Sequence, residues 1–129
     1  MTDSSSRRVL IIDDAALVRS YYRSALELHG FAVEEALNGL EGLEKLLMQP
    51  FDLAIVDVNM PQMDGITFVR TLRSKELPVS GVPVLMTSTE AGHQDMAAAR
   101  SAGANYYLVK PVKQETLAEY AAIFCGAPR

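Results

Sequence analysis

Hydrophobic positions along the chain fall into short continuous runs that alternate with longer, helix-like stretches. Four runs are almost entirely apolar and contain many β-branched or aromatic side chains, at residues 9–12, 53–56, 82–86 and 106–109. A continuous apolar run of this length, bounded by polar or turn residues, is typical of a strand buried on both faces of a parallel sheet. A fifth run, at residues 31–36, is more polar and predicts a strand at the edge of that sheet.

The stretches between these runs carry helical spacing and helix-end signals. Asn38 and Asp64 are placed to cap the second and third helices. In the first helix, the spacing predicts one apolar stripe made of Val18, Tyr21, Ala25 and Leu28. We predict helices over residues 15–29, 39–48, 65–74, 93–102 and 114–125.

Five strands alternating with five helices predict consecutive βαβ units with right-handed crossovers. The fold class is therefore α/β, doubly wound, with a parallel sheet and helices on both of its faces. A chain of 129 residues fits one domain. We expect that domain to span residues 7–129, after a disordered polar tail at residues 1–6.

Composition and charge exclude several classes of protein. Hydrophobic residues make up 49% of the chain and charged residues 22%, which argues against disorder, and the single cysteine cannot form an internal disulfide. The apolar runs are far shorter than the roughly 20 residues that span a bilayer, and the polar start lacks the apolar stretch of a secretory signal. The net charge is −4 with no basic stripe. We therefore expect a cytoplasmic protein that inserts into no membrane and binds no nucleic acid.

Polar residues follow or end four of the five predicted strands. Asp13 and Asp14 follow the first strand, Asp57 the third, Thr87 the fourth and Lys110 the fifth. Open α/β sheets bind ligands beyond the carboxyl ends of their strands, at the point where the strand order reverses. If the strand order is 2-1-3-4-5, the first and third strands are neighbours. The three carboxylates then converge at that edge.

Three carboxylates in one cleft need compensation, because two like charges about 4 Å apart repel by about 4 kcal/mol at an effective dielectric constant near 20. Carboxylate and carbonyl oxygens, with no histidine or cysteine among them, are ligands for a hard cation such as Mg²⁺. Lys110 adds a positive charge and Thr87 a hydroxyl donor. Such a set could hold phosphoryl oxygens while Asp57 attacks phosphorus.

The residues that carry this chemistry match a known family. The chain resembles the receiver domains of two-component response regulators, and in particular the CheY-like single-domain regulators. The resemblance extends from about residue 7 to residue 125, and it implies the flavodoxin-like (βα)5 form of the fold, with strand order 2-1-3-4-5. The matching segments are residues 9–14 (VLIIDD), 57–65 (DVNMPQMDG), 87–88 (TS) and 107–111 (YLVKP).

The resemblance implies a phosphoacceptor and a set of metal ligands. Asp57 would accept the phosphoryl group. Mg²⁺ would be bound directly by Asp14 and Asp57, through water by Asp13, and by the backbone carbonyl of Asn59.

The resemblance also implies a switch. Thr87 and Lys110 would contact phosphoryl oxygens, and the Lys110–Pro111 peptide bond would be cis. Tyr107 would swing inward when Thr87 moves toward the phosphoryl group. This movement would change the surface made by the fourth helix, fifth strand and fifth helix.

The implied function is that of a phosphorylation-operated signalling protein, and not of an enzyme beyond its own phosphorylation and slow autodephosphorylation. A histidine kinase would donate the phosphoryl group, a phosphatase is a further expected partner, and the protein would act as a monomer. The single-domain length, Asn59 and Tyr107 favour a chemotaxis regulator that acts on the flagellar motor switch. Thr89, two residues after Thr87, and Asn59 depart from the family pattern and leave the phosphoryl lifetime open.

Three alternatives remain at this point. The first is a phosphate sink or relay receiver without a motor target. The second is a phosphatase of the haloacid-dehalogenase type, although Asn59 stands where that class has an acid–base aspartate. The third is a flavodoxin-like flavin binder, although Asp13 and Asp14 would repel a phosphate after the first strand.

Overall fold

The computed structural model describes residues 7–126, so the tail predicted at residues 1–6 lies outside the described range. Five strands and five helices alternate along the chain. The strands are β1 (Arg8–Ile12), β2 (Ala32–Ala36), β3 (Leu53–Asp57), β4 (Val84–Ser88) and β5 (Tyr106–Val109). The helices are α1 (Ala16–Leu28), α2 (Gly39–Met48), α3 (Gly65–Arg73), α4 (His93–Ala102) and α5 (Gln114–Cys125). A short 3₁₀ helix, Val79–Gly81, precedes β4.

All strand pairs are parallel, and the sheet order is β2-β1-β3-β4-β5. The predicted doubly wound α/β fold is therefore confirmed, and so is the placement of β2 at an edge. Both predicted helix caps are also present. Asn38 Oδ1 accepts a hydrogen bond from the Glu41 backbone N–H at 2.9 Å, and Asp64 Oδ1 accepts one from Thr67 at 2.8 Å.

The sheet separates two apolar layers, because successive side chains of a strand point to opposite faces. One layer, between the sheet and helices α2, α3 and α4, includes Leu10, Val56, Phe68 and Met86. The other layer, between the sheet and helices α1 and α5, includes Val9, Ile11, Leu53, Ile55, Leu85 and Leu117. Within residues 7–126, no helix is long and apolar enough to cross a membrane.

The fourth strand runs over Val84–Ser88 and not over residues 82–86. Pro83 has no backbone N–H to donate to a ladder, and Val84 is the first residue that pairs with β3. Thr87 therefore lies inside β4, directly opposite Asp57, and not beyond the strand's end.

One further prediction about burial is wrong, and a second, the apolar stripe of α1, holds only for Val18 and Ala25. Strand β5 is not buried on both faces, since it is the second edge strand and leaves Tyr106 43% and Val109 37% exposed. The buried side of α1 consists of Tyr22, Ala25 and Leu26, whereas Tyr21 and Leu28 of the predicted stripe face outward. Apolar residues occur on several sides of α1, so their spacing alone did not decide which side meets the sheet.

Candidate functional site

The alternation of side chains along each strand brings the polar residues to one side of the sheet. Asp13 stands two residues after Ile11, Asp57 two after Ile55, and Thr87 two after Leu85. Because side chains two apart on a strand share a face, all three point toward the layer that α1 and α5 cover. Lys110 follows β5 two residues after Leu108, which packs against that same layer. The carboxyl end of the sheet therefore carries one compact polar site.

The structure brings the three predicted carboxylates together. Asp13, Asp14 and Asp57 each place an oxygen within 4.8 Å of the others. Asp13 and Asp57 are buried, at 1% and 6% exposure, while Asp14 is exposed. Lys110 Nζ lies 3.2 Å from Asp13 Oδ2 and 3.2 Å from Asp57 Oδ1, so its single positive charge lies between the two buried carboxylates.

The loop that carries the acidic pair is fixed by hydrogen bonds from its own neighbourhood. Asp13 Oδ1 accepts a hydrogen bond from the Ala15 backbone N–H at 2.9 Å, just before α1 begins. Arg19, one turn further along, donates to the backbone carbonyl of Asp13 at 2.7 Å. Its Nε also donates to Glu35 Oε1 on β2 at 2.8 Å. Arg19 thus links the acidic loop to the edge strand, a role that the sequence did not indicate.

The electrostatics of the site leave its negative charge incompletely balanced. Burial raises the pKa of Asp57, repulsion from Asp13 raises it further, and Lys110 only partly offsets both effects. Burial alone would lower the pKa of Lys110, but the charges of Asp13 and Asp57 outweigh it and the pKa is raised. Three carboxylates against one ammonium leave a site that attracts a cation.

The donor set fits the magnesium ion that the sequence predicts. All the side-chain ligands on offer are carboxylate oxygens, two of them deeply buried, and a hard divalent cation binds such oxygens well. Asn59, the source of the predicted carbonyl ligand, is exposed two residues after Asp57 in the loop before α3. The geometry shows an acidic cluster that could hold a metal ion, and the identity of that ion stays a prediction.

Close packing fixes the loop between β3 and α3, which follows Asp57. Gly65 begins α3, and a Cβ atom at this position would lie 2.6 Å from the backbone oxygen of Asp57 and 2.8 Å from Val58 Cα. Only a residue without a Cβ atom lets the helix start so close to the end of β3. On the other side of the site, the Lys110–Pro111 peptide bond is cis.

Thr87 presents a hydroxyl group that nothing nearby uses. The residue is fully buried, and among the described residues its Oγ1 atom has no hydrogen-bond partner of standard geometry. Buried polar groups are nearly always paired, so an unpaired one next to Asp57 indicates a position where a ligand oxygen is expected.

Tyr107 lies apart from the acidic cluster, on β5. Its side chain is half-buried and packs against the α2–α3–α4 layer, while its hydroxyl donates to the backbone carbonyl of Glu90 at 2.8 Å. Glu90 belongs to the loop after β4 and lies three residues along the chain from Thr87. The predicted pair of Thr87 and Tyr107 is therefore connected through this loop, although the two side chains point to opposite faces of the sheet.

Sequence reasoning missed Tyr22, which lies at the base of the same site. This α1 residue is 3% exposed, and burial raises the pKa of its hydroxyl, with Lys110 and Thr87 acting in the opposite direction. The available signal was its position four residues after Val18, a helical spacing that the predicted stripe passed over in favour of Tyr21.

A family model described as "Response regulator receiver domain" matches residues 9–122. The chain belongs to the response regulator receiver domain family. A receiver domain serves a two-component signalling system, where a histidine kinase supplies the phosphoryl group. Its fold is that of a signalling phosphoacceptor.

Solved structures agree with this membership. The chain is 34% identical to the chemotaxis protein CheY4 of Vibrio cholerae, with a TM-score of 0.86 over 92% of this chain and 98% of that one. It is 29% identical to a CheY-like receiver domain protein of Methanospirillum hungatei, with a TM-score of 0.85 over 94% of each chain. These neighbours support a CheY-like receiver.

Curated relatives resemble the chain over part of their length. It is 38% identical over 110 residues to the transcriptional regulatory protein PrrA of Mycobacterium leprae, and 37% identical to PrrA of Mycobacterium tuberculosis. Each match covers 85% of this chain but only 46% of the relative. The chain therefore spans about half the length of the curated relatives it matches.

Proposed function

We propose that this receiver domain accepts a phosphoryl group on Asp57 from a phosphohistidine of its partner kinase. The observation that carries the proposal is the contact of Lys110 Nζ with both Asp57 and Asp13, at 3.2 Å each. It places a fixed positive charge beside the buried carboxylate that would be phosphorylated. The unpaired hydroxyl of Thr87, opposite Asp57 in the neighbouring strand, offers a donor for a phosphoryl oxygen.

The transfer needs no further reactant. An oxygen of the Asp57 carboxylate attacks the phosphorus, and an O–P bond forms as the P–N bond to the donor histidine breaks. The electron pair of the P–N bond stays on the ring nitrogen, and the histidine leaves as neutral imidazole when its other nitrogen carries a proton. Lys110 then faces a phosphoryl oxygen and Thr87 donates a hydrogen bond to another.

Magnesium is the cofactor we propose for this site. Asp14 and Asp57 would hold it directly, with Asp13 acting through water and the Asn59 carbonyl completing the protein ligands. When bound, the ion supplies positive charge that neutralises the phosphoryl oxygens. In this account the chain promotes only its own phosphorylation and its slow autodephosphorylation.

Replacement of the acceptor tests the proposal. The wild-type chain, Asp57→Asn and Asp95→Asn are each mixed with a histidine kinase that carries labelled phosphate, and label on the receiver is measured. Asp95 is an exposed aspartate in the first turn of α4 and serves as the matched control. We expect transfer to the wild type and to Asp95→Asn, and loss of at least 100-fold in Asp57→Asn, since the attacking oxygen is absent. Undiminished transfer to Asp57→Asn would exclude Asp57 as the acceptor.

We also propose that phosphorylation is read at the face made by α4, β5 and α5, with the flagellar motor switch as target and chemotaxis as the process. The likeness to CheY4 supports this target, as does the position of Tyr107 on β5 with its hydroxyl bound to the loop that follows Thr87. The PrrA relatives do not extend the proposal to transcription, because this chain covers under half of their length.

Binding to a motor switch protein in the two phosphorylation states tests the target. We expect retention of the phosphorylated chain on the immobilised switch protein to exceed that of the unphosphorylated chain at least tenfold. Equal or absent retention in both states, with normal phosphotransfer, would reject the motor target and favour a phosphate sink or relay. Multiple-turnover hydrolysis of small phosphomonoesters would instead favour the haloacid-dehalogenase-like phosphatase.

A further inference from the structure

Tyr22 brings a hydroxyl group from α1 to the site around Asp57. Its ring lies in the apolar layer between the sheet and helices α1 and α5, and only 3% of the residue is exposed. The same side chain lines a cavity of about 530 Å³ together with Lys110 and Thr89. The ring is thus held by packing, while the hydroxyl end reaches the polar residues at the carboxyl edge of the sheet.

The polar residues of the site all face this helix. Asp57 and Thr87, in β3 and β4, and Asp13, directly after β1, project toward the layer that α1 covers, and the Tyr22 ring lies in that layer. Burial raises the pKa of Tyr22, the charge of Lys110 and the nearby Thr87 hydroxyl act in the opposite direction, and the two aspartates add to the rise. The cavity that Tyr22 shares with Lys110, and the orientation of Thr87 toward the layer that holds the Tyr22 ring, bring the hydroxyl to the edge of the site.

Thr87 is the neighbour that has hydrogen-bonding capacity to spare. Asp13 Oδ1 already accepts from Ala15, and Asp13 Oδ2 and Asp57 Oδ1 both face Lys110. Thr87 Oγ1 is fully buried and, within residues 7–126, has no partner of standard geometry. Its side chain faces the layer in which the Tyr22 ring is packed. A threonine hydroxyl can donate one hydrogen bond and accept up to two. If it donates to a ligand on Asp57, its lone pairs stay free for another donor.

We propose that Tyr22 is a positioning residue of this site, whose hydroxyl donates to Thr87 Oγ1 while Thr87 donates to a phosphoryl oxygen on Asp57. The two hydroxyls then form a relay, in which each hydrogen bond polarises and strengthens the next. The relay would connect α1 to Thr87, the residue that the proposed switch moves toward the phosphoryl group. The inference rests on the proposed function, because the relay requires a phosphoryl group, or a mimic of one, on Asp57.

The substitution Tyr22→Phe removes the hydroxyl and keeps the ring. The probe is beryllium fluoride with Mg²⁺, a phosphoryl mimic, and its affinity is measured by calorimetry because the chain has no tryptophan to report binding. We expect Tyr22→Phe to bind the probe about threefold to tenfold more weakly than wild type, the fold-change of one net hydrogen bond. Tyr21→Phe is the matched control. It makes the same change on the adjacent, 45% exposed residue and should bind like wild type.

A double-mutant cycle separates the relay from mere packing. In a Thr87→Val background the acceptor oxygen is gone, so Tyr22→Phe should cause no further loss, whereas Thr87→Ser keeps the oxygen and should keep the dependence on Tyr22. Thermal unfolding of Tyr22→Phe without ligand should match wild type within about 2 °C. Unchanged affinity in Tyr22→Phe, or an equal loss in both backgrounds, would overturn the relay. If wild type takes up neither the probe nor a phosphoryl group, the proposed function fails as well.

Discussion

Two clusters of charged side chains flank α1, and they are balanced in opposite ways. The acidic cluster, at the carboxyl end of the sheet, sets Asp13, Asp14 and Asp57 against Lys110, and the pKa of Asp57 is raised. The arginine cluster, between α1 and β2, sets Glu35 against Arg19 and Arg23, while Arg23 also pairs with Glu27, and the pKa of Glu35 is lowered. Both clusters border the same helix, so their position next to α1 does not determine how their charges are balanced.

The difference shows which cluster is left incomplete. Glu35 accepts 2.8 Å hydrogen bonds from Arg19 and Arg23, one on each carboxylate oxygen, so it is fully satisfied by the protein. In the acidic cluster a single ammonium is shared by two buried carboxylates, and the Thr87 hydroxyl beside them is unpaired. A satisfied cluster contributes to stability, whereas an incomplete one favours binding of a ligand that would complete it.

Neutralising Glu35 should have the larger effect on stability. In Glu35→Gln, Arg19 loses its carboxylate partner and Arg23 keeps only Glu27, one helical turn away. We expect the free energy of unfolding to fall by about 1 to 2 kcal/mol at pH 7, a range that allows for the partial exposure of these side chains. Burial alone would raise the pKa of Glu35, but Arg19 and Arg23 outweigh it and lower the pKa. Its stabilisation is therefore present above the ordinary glutamate pKa and is lost as the pH falls through the lowered value.

Urea unfolding at pH 7 and near pH 3 measures both parts of this prediction. Glu44→Gln is the matched control, because Glu44 is exposed on α2 and forms no ion pair within residues 7–126. Its unfolding midpoint should differ little from wild type. A Glu35→Gln deficit that is the same at both pH values would mean that packing, and not the charge of Glu35, supports this side of α1.

The acidic cluster was predictable from the sequence because it depends on the order of the strands and not on which side of a helix faces the sheet. Continuous apolar runs identify the strands, and parallel strands deliver the residues that follow them to one edge. That reasoning predicts that Asp57 lies near Asp13, and the two carboxylates do lie together. The arginine cluster was not predictable in this way. It depends on which side of α1 faces β2, and the helix has apolar residues on more than one side.

The same ambiguity hid Tyr22. The predicted stripe contains Tyr21, which is 45% exposed, and leaves out its neighbour Tyr22, which is buried. Both residues are tyrosines, so residue type gave no correction, and only packing against the sheet distinguishes them. The start of β4 was misjudged for a different reason, since apolar character continues through Pro83 while the hydrogen-bond ladder does not.

Neutralising Asp57 should have a smaller and opposite effect. Burial and repulsion from Asp13 raise the pKa of Asp57, so the folded state favours its protonated form. The wild type therefore loses stability as the pH rises from the ordinary aspartate pKa through the raised value, and Asp57→Asn avoids this loss. Near pH 7.5, without divalent ions, the free energy of unfolding of Asp57→Asn should be about 1 kcal/mol higher than that of wild type. This is comparable to the interaction of two unit charges about 4 Å apart in water, about 1 kcal/mol.

Magnesium should reverse the difference in stability between Asp57→Asn and wild type, and should do so only through the acidic cluster. Added Mg²⁺ should raise the unfolding midpoint of wild type and of Glu35→Gln by similar amounts, because the ion would complete the acidic cluster and leave the arginine cluster untouched. It should raise that of Asp57→Asn much less, since a direct ligand is missing. Equal stabilisation of all three chains would place the bound ion elsewhere. Lower stability of Asp57→Asn without divalent ions would show that the ionised Asp57 is satisfied by Lys110 alone, in the way that Glu35 is satisfied by its two arginines.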